Sequence, residues 1–456
     1  MEFISIPFVI CLVVTFLLYY LRTNRTHQHV CLLVASICFI GYYHIVYLLF
    51  AIGITLLTYY TGLLLHRHLS TPRATYILWG GIVGLVGIWL AVRYWSPIFP
   101  LGISFYTFQA LAYLIDIYWE EEPEDDLMAF SLYMMLFMKF LSGPIERGYD
   151  LLPQLHKPHP FLYEEVVRGL LTLGGGIFMK LVIADRIAPS LDIVFADVHQ
   201  SSGAQLLVAT LLYPIQLYAD FAGYTLMAIG LGRMFGFKLS PNFDRPFCST
   251  STGQLWRRWH QSLSFWVRDY VFMPLSTSLR RYGKKGIYFS LITTFVVIGV
   301  WHGAGWAFAA YGLFQGLVII YEKMTERQHE YVQTLIGKRY YDKIMMVRTY
   351  LLFALSLLFF RLEDIYDVCY VYAHLFDGFQ ISIKELRLGM SDHYWIVFGI
   401  AVIALFFIEW IHARRSLISR LEELPTVLRW LYYVAFVITI FFFGAFGVEN
   451  FIYIQF

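Results

Sequence analysis

The chain has 456 residues, of which 59% are hydrophobic, 19% aromatic and only 14% charged. So few charged groups cannot coat a water-soluble globule of this size, so most of the outer surface must face lipid. Net charge is +2, from 34 lysines and arginines against 32 aspartates and glutamates, which leaves no bulk basic field and excludes a nucleic-acid binder.

The first apolar run, Phe3 to Leu21, has no lysine or arginine before it, no small-residue cleavage site after it, and Arg22 and Arg25 behind it. It reads as a retained first span rather than a signal peptide, with the N-terminus outside and the next loop in the cytoplasm. Further spans are expected over Val30 to Leu65 (two segments), Tyr76 to Val92, Leu101 to Tyr118, Leu127 to Leu141, Val166 to Ile183 and Gln205 to Leu231. In the second half, apolar stretches cover Ile287 to Trp301, Ala304 to Tyr321, Met345 to Phe360, Tyr394 to Ile411 and Trp430 to Phe443. A span needs roughly 20 apolar residues, which predicts an all-α polytopic membrane protein with about eleven to thirteen membrane helices. Nothing between them is long enough for a soluble domain, and no Pro-, Ser- or Gln-rich linker appears, so residues 1–456 read as a single transmembrane domain.

Basic clusters at Arg280, Arg281 and Lys284, from Lys323 to Lys343, and at Arg414, Arg415 and Arg420 adjoin spans and are expected to mark cytoplasmic loops. The acidic run Glu120 to Asp126 reads as a solvated turn. Five cysteines, scattered and odd in number, form neither a disulfide framework nor a metal cluster, so free thiols are expected. The histidine pairs His27 and His29, His66 and His68, and His156 and His159 lack cysteine or carboxylate partners at ligand spacing, so no metal site is expected. Gly230, Gly232 and Gly236 mimic a dinucleotide fingerprint only superficially, because no parallel sheet surrounds them. No internal repeat relates the two halves, which weakens a transporter reading.

From about residue 213 to 316, charged and hydrogen-bonding residues cluster among aromatics. Polar groups at membrane depth are expensive, so such a concentration is a functional-site hypothesis. Within it, Gly253 to Leu275 reads GQLWRRWHQSLSFWVRDYVFMPL. On a helical projection Trp256, Trp259, Leu263, Trp266 and Tyr270 form one stripe, and Arg257, Gln261, Ser264 and Arg268 another. Such a helix can lie along the membrane surface or dip into it as a re-entrant element. An interfacial anchor would explain the tryptophans and arginines, and it leaves His260 open between ligand binding and ordinary packing.

His302 follows the run ending at Trp301, in VWHGAGWAFAAYG, with Gly299, Gly303 and Gly305 around it. Glycines allow a backbone or substrate to approach the ring. An imidazole in low dielectric favours its neutral form, which accepts a proton from a hydroxyl. The bland alternative is a helix-end histidine bonded to a carbonyl.

Taken together, YADFAGYTLMAIG (Tyr218 to Gly230), NFDRPF (Asn242 to Phe247), WRRWHQSLSFWVRDYVFMPL (Trp256 to Leu275) and VWHGAGW (Val300 to Trp306) resemble the bacterial membrane-bound O-acyltransferase superfamily. LGISFYTFQALAYLID, SGPIERGYDLLPQL and the closing FIYIQF are similar to the same group in the same order. The nearest branches are alginate O-acetyltransferases and the D-alanyl transfer proteins of teichoic acids. The run Ala222-Gly223-Tyr224-Thr225-Leu226 is closer to the D-alanyl branch, which leaves the acyl group open.

The resemblance implies helices around a central funnel, with His302 catalytic and His260 its companion. It also implies a donor thioester from the cytoplasm, acetyl-CoA or a charged acyl carrier protein, and a polysaccharide or cell-wall polymer acceptor on the far side. A separate periplasmic or surface protein would complete the transfer from a bacterial inner membrane. Arg257 and Arg258 are candidates for donor phosphates, since guanidinium binds phosphate bidentately, and lipid headgroup contact is the bland reading for either. Trp256 and Trp259, which flank them, are further candidates for substrate binding, as are Asn242 and Asp220, which could also orient the site. D-alanyl transfer and a transporter or flippase with a proton-relaying histidine are the alternatives.

Overall fold

The computed structural model describes residues 3–95, 99–377, 383–413 and 417–447. The FIYIQF ending and the arginines Arg414 and Arg415 lie outside the described residues. Among the described residues every regular element is helical.

One compact unit takes the chain as far as Gly175, together with Tyr224–Pro241. It contains α1 (Ile6–Tyr20), α2 (Arg25–Tyr43), α3 (Ile45–Arg67), α4 (Arg73–Trp95), α5 (Ile103–Tyr118), α6 (Leu127–Met135), α7 (Gly148–Leu155) and most of α8 (Tyr163–Phe178). The apolar runs become helices at side-chain caps. Ser5 accepts the Phe8 amide at 3.3 Å, Asn24 the His27 amide at 3.2 Å, and Asp126 the Met128 amide at 2.9 Å. The span expected over Leu127 to Leu141 stops after nine residues, at Met135. Lys139 explains the stop physically: its ammonium is buried and needs an acceptor that a helix interior does not offer. In the turn it donates to Gln109 Oε1 at 2.6 Å.

The other unit comprises Gly176–Gly223 and the chain from Asn242 onward. Here the chain runs from α8 through a π-helical turn, Met179–Ala184, into α9 (Asp185–Ala196), and then into α10 (Gly203–Met234), 32 residues long. Short helices follow: α11 (Thr252–Trp256), α12 (Gln261–Val267) and α13 (Met273–Ser278). Next come α14 (Lys284–His302), α15 (Trp306–Met324), α16 (Glu326–Ile336), α17 (Lys338–Ser356), α18 (Leu358–Arg361) and α19 (Ile365–His374). The described chain closes with α20 (Ile383–Leu386), α21 (Asp392–His412), α22 (Leu417–Glu422) and α23 (Thr426–Phe443).

Among the described residues, eight helical stretches are long and apolar enough to cross a membrane: α3, α4, α8 to α9, α10, α14, α17 to α18, α21 and α23. That is fewer than the eleven to thirteen expected. Part of the difference lies in α1, α5 and α6, which have 15, 16 and 9 residues. Lipid-facing and interior helices are distinct. No residue of the most apolar window of α23 is buried, whereas 72% of the corresponding window of α10 is. The protein is a multi-pass membrane protein.

Candidate active site

The segment expected as one amphipathic helix is broken. α11 ends at Trp256, a turn covers residues 257–260, α12 begins at Gln261, and a π-helical turn over Arg268–Phe272 leads into α13. The break is at His260, whose backbone is left-handed at φ 44° and ψ 55°. For a residue with a Cβ that conformation costs roughly 1–2 kcal/mol, so neighbouring contacts must hold it.

Asn242 supplies those contacts. Its carbonyl accepts the Gln261 amide at 2.9 Å, while the Asp244 amide donates to Arg258 O at 3.0 Å. Its side-chain oxygen accepts the Ser262 amide at 3.1 Å and the Ser262 hydroxyl at 3.0 Å, and lies 3.2 Å from His260 Nδ1. A backbone N–H can only donate, so this atom of Asn242 must be the oxygen. His260 Nδ1 must then carry the proton it shares with Asn242, and Nε2 is the acceptor of the neutral ring. Burial pushes the His260 pKa well below its ordinary value, and the nearby His302 adds to the effect.

His302 is the last residue of α14 and is also buried. Its ring centre lies 6.4 Å from that of His260, with Trp301 at 4.7 Å and Phe360 at 5.1 Å. Phe221 of α10 stands edge-on to His260 at 4.7 Å. Backbone contact places the end of α14. A Cβ at Gly299 would fall 2.1 Å from Phe308 O, and one at Gly312 would fall 2.1 Å from Phe295 O, so α14 and α15 touch where only hydrogen fits.

The structure therefore brings together His260, His302 and Asn242 and sends the other expected residues elsewhere. Trp256 is buried and donates to Gln315 Oε1 at 3.1 Å. Trp259 is buried among Tyr218, Phe243, Phe247 and Phe353. Between these anchors Arg257 is exposed and lines a charged cavity of about 360 Å³ with Lys323, Arg348, Glu322, His329 and Tyr341. Glu322 anchors one wall: it pairs with Arg348 and accepts the Thr252 amide at 2.8 Å, at the start of α11. Arg258 is half-buried, its guanidinium 3.5 Å from Arg245 O. Asp220 is paired with Lys180 at 2.7 Å, and Lys180 also meets Asp185 at 2.8 Å, all three nearly fully buried.

Sequence reasoning missed Lys180, Gln315 and the Tyr218 hydroxyl that donates to Glu409. A lysine inside an apolar run was the available signal for the first; nothing local marks the other two. Among the described residues no group of three or more His, Cys, Asp or Glu side chains could hold a metal.

A many-helix membrane protein that buries two imidazoles among aromatic rings has the build of an integral membrane enzyme, with its polar chemistry withdrawn from lipid. Residues 124–360 match the membrane-bound O-acyltransferase family. The probable alginate O-acetylase of Pseudomonas fluorescens is 31% identical over 379 residues, covering 81% of this chain and 74% of the relative. The peptidoglycan O-acetyltransferase of Helicobacter pylori is 30% identical, covering 67% and 66%. The teichoic acid D-alanyltransferase of Streptococcus thermophilus is 33% identical, covering 48% and 56%. The chain belongs to the membrane-bound O-acyltransferase family and is an O-acyltransferase, which decides against the transporter and flippase reading.

Proposed function

We propose that the protein carries an acetyl group from acetyl-CoA to a hydroxyl of an exopolysaccharide or cell-wall polymer, with His302 as the general base. The observation that carries this reading is the buried pair of rings, His260 and His302, 6.4 Å apart on separate elements. In the step proposed, an imidazole nitrogen of His302 takes the proton of the acceptor hydroxyl. The oxygen bonds to the acyl carbon, the carbon–sulfur bond breaks, and the thiolate leaves with the proton returned by the imidazolium. General-base catalysis of this kind supplies about 10²–10⁴-fold, and orientation of the two substrates must supply much of the rest.

The tautomer of His260 supports a positioning role over an oxyanion role. With its N–H directed at Asn242, the neutral ring offers Nε2 as an acceptor, which suits holding a hydroxyl and cannot donate to a developing oxyanion. Trp256 and Trp259 hold Arg257 and Arg258 in place from either side. Arg257, beside Lys323 and Arg348, suits the donor's phosphates. Asn242 keeps the turn, and Asp220 holds α10 through Lys180.

Acetyl is favoured because the relatives named for O-acetylation cover more of the chain, 81% and 67%, than the D-alanyltransferase, at 48%. D-alanyl transfer from a carrier protein is the second reading, and the Ala222 to Leu226 run favours it. A polymer-side partner protein completes the reaction, and the enzyme resides in the bacterial inner membrane. Purified protein incubated with radiolabelled acetyl-CoA, and separately with a carrier protein charged with labelled D-alanine, tests the donor. Label transferred from acetyl-CoA and absent with His302→Ala supports the reading; transfer only from the carrier overturns it.

A further inference from the structure

The unit that contains none of His260, His302 and Asn242 has a partly open cavity of about 490 Å³. It is walled by Leu162, Val166, Ile229, Phe237 and Leu239, and edged by Arg233 and Lys238. A volume in this range suits a small organic ligand. We propose that this cavity binds an anionic amphiphile, a membrane phospholipid with its phosphate at Lys238 and Arg233 and an acyl chain along the apolar wall. The inference is independent of the acyl-transfer reading.

Charge complementarity carries the headgroup end. Glu165 is already engaged by Arg233 at 2.5 Å and by Arg168 at 3.1 Å, which leaves its carboxylate committed to those guanidinium groups. Lys238 is exposed, and none of the ion pairs among the described residues involves it. Its backbone is held from both sides by Gln154, which accepts its amide at 2.8 Å and donates to its carbonyl at 3.1 Å. The ammonium thus projects from a fixed backbone. His159, with its ring against Phe237 at 4.5 Å, is pushed by burial toward its neutral form, so it adds wall rather than charge. The surplus at this edge is positive.

Position carries the acyl end. Phe161, Leu162 and Tyr163 are 51%, 54% and 67% exposed. Phe161 packs its ring on Phe16 and Tyr20 of α1. Exposed aromatics beside a basic edge are the signature of the membrane–water boundary, where an anionic leaflet presents its headgroups. A lipid can then enter sideways without leaving the bilayer.

Native mass spectrometry of the full-length protein in detergent tests this. Phosphatidylglycerol, phosphatidylcholine and inorganic phosphate are titrated in separate arms. Phosphatidylglycerol should give its first adduct at about tenfold lower concentration than phosphatidylcholine. Lys238→Ala, a change at an exposed side chain, should raise that concentration by about tenfold and leave phosphatidylcholine unchanged. Ile229→Trp should remove the preference by filling the cavity. Equal binding of the two lipids, or no effect of Lys238→Ala, overturns the proposal. Full displacement of phosphatidylglycerol by inorganic phosphate also overturns it, since the site would then read phosphate without the chain.

Discussion

His260 holds a backbone shape that glycine adopts freely, and Asn242 keeps it there through contacts on both sides of the turn. Replacing Asn242 with alanine strips acceptors from buried donors, which costs about 1–3 kcal/mol each. Asn242→Ala should therefore lower both thermal stability and turnover, and a melt beside an acylation assay reads both. His302→Ala should instead lower kcat by about 10²–10⁴-fold with the melting temperature nearly unchanged; retained turnover would remove the base assignment. Acid should also destabilise the fold. His260 and His159 have folded pKa values below the unfolded 6.5, so the unfolded chain binds more protons as pH falls through that value. Stability should rise with pH up to about 6.5 and level off above it, and the slope on the acid side should shrink in His159→Asn. That His260 and His302 deserve notice was legible because each sits in a motif of unusual composition. Asn242 was legible only as a polar residue nearby, since its clamp depends on contacts across a turn that no spacing encodes.

At the scale of elements, the length of apolar runs located the membrane helices, and sequence pattern failed where polar chemistry interrupts the helices. The tryptophan stripe from Trp256 to Tyr270 fits one helix, yet the turn at His260 divides it. Hydropathy carried the span at Leu127 past Met135, because one lysine barely alters a window average while its burial decides where the helix ends. The glycines near His302 were visible, but that Gly299 has a counterpart in Gly312 emerges only from the close approach of α14 and α15. Gly312→Val would drive side-chain atoms into Phe295 O and must part the two helices. Overpacking of this kind costs about 1–3 kcal/mol or more. The expected outcome is a lower melting temperature together with reduced acylation, and unchanged values for both would mean the contact does not place His302.

Across the whole molecule, composition alone predicted a lipid-embedded helical protein, and that is what the exposed faces show: Val427 and Phe442 are 70% and 79% exposed on α23. The number of spans was less legible, since short apolar helices and long interior ones look alike to a hydropathy window. Charge placement yields a topological prediction. The basic stretch from Lys323 to Lys343 runs along α16, which has no buried residue, and into the start of α17. By the positive-inside tendency it faces the cytoplasm. A single cysteine at Lys338, in a cysteine-free background, should react with an impermeant maleimide only after the membrane is opened; labelling of intact cells would reverse the assigned orientation.

With no side chain buried along α23, its grip on the protein rests on few anchors, among them the Arg186 guanidinium that donates to Phe443 O. Its 18 residues rise about 27 Å at about 1.5 Å each, a little short of a hydrocarbon layer of roughly 30 Å. Such a helix feels hydrophobic mismatch directly, tilting less or drawing the bilayer thinner as lipid tails lengthen. The acyl-chain length of the host membrane thus becomes a variable to hold fixed whenever stability or turnover is compared between reconstituted preparations.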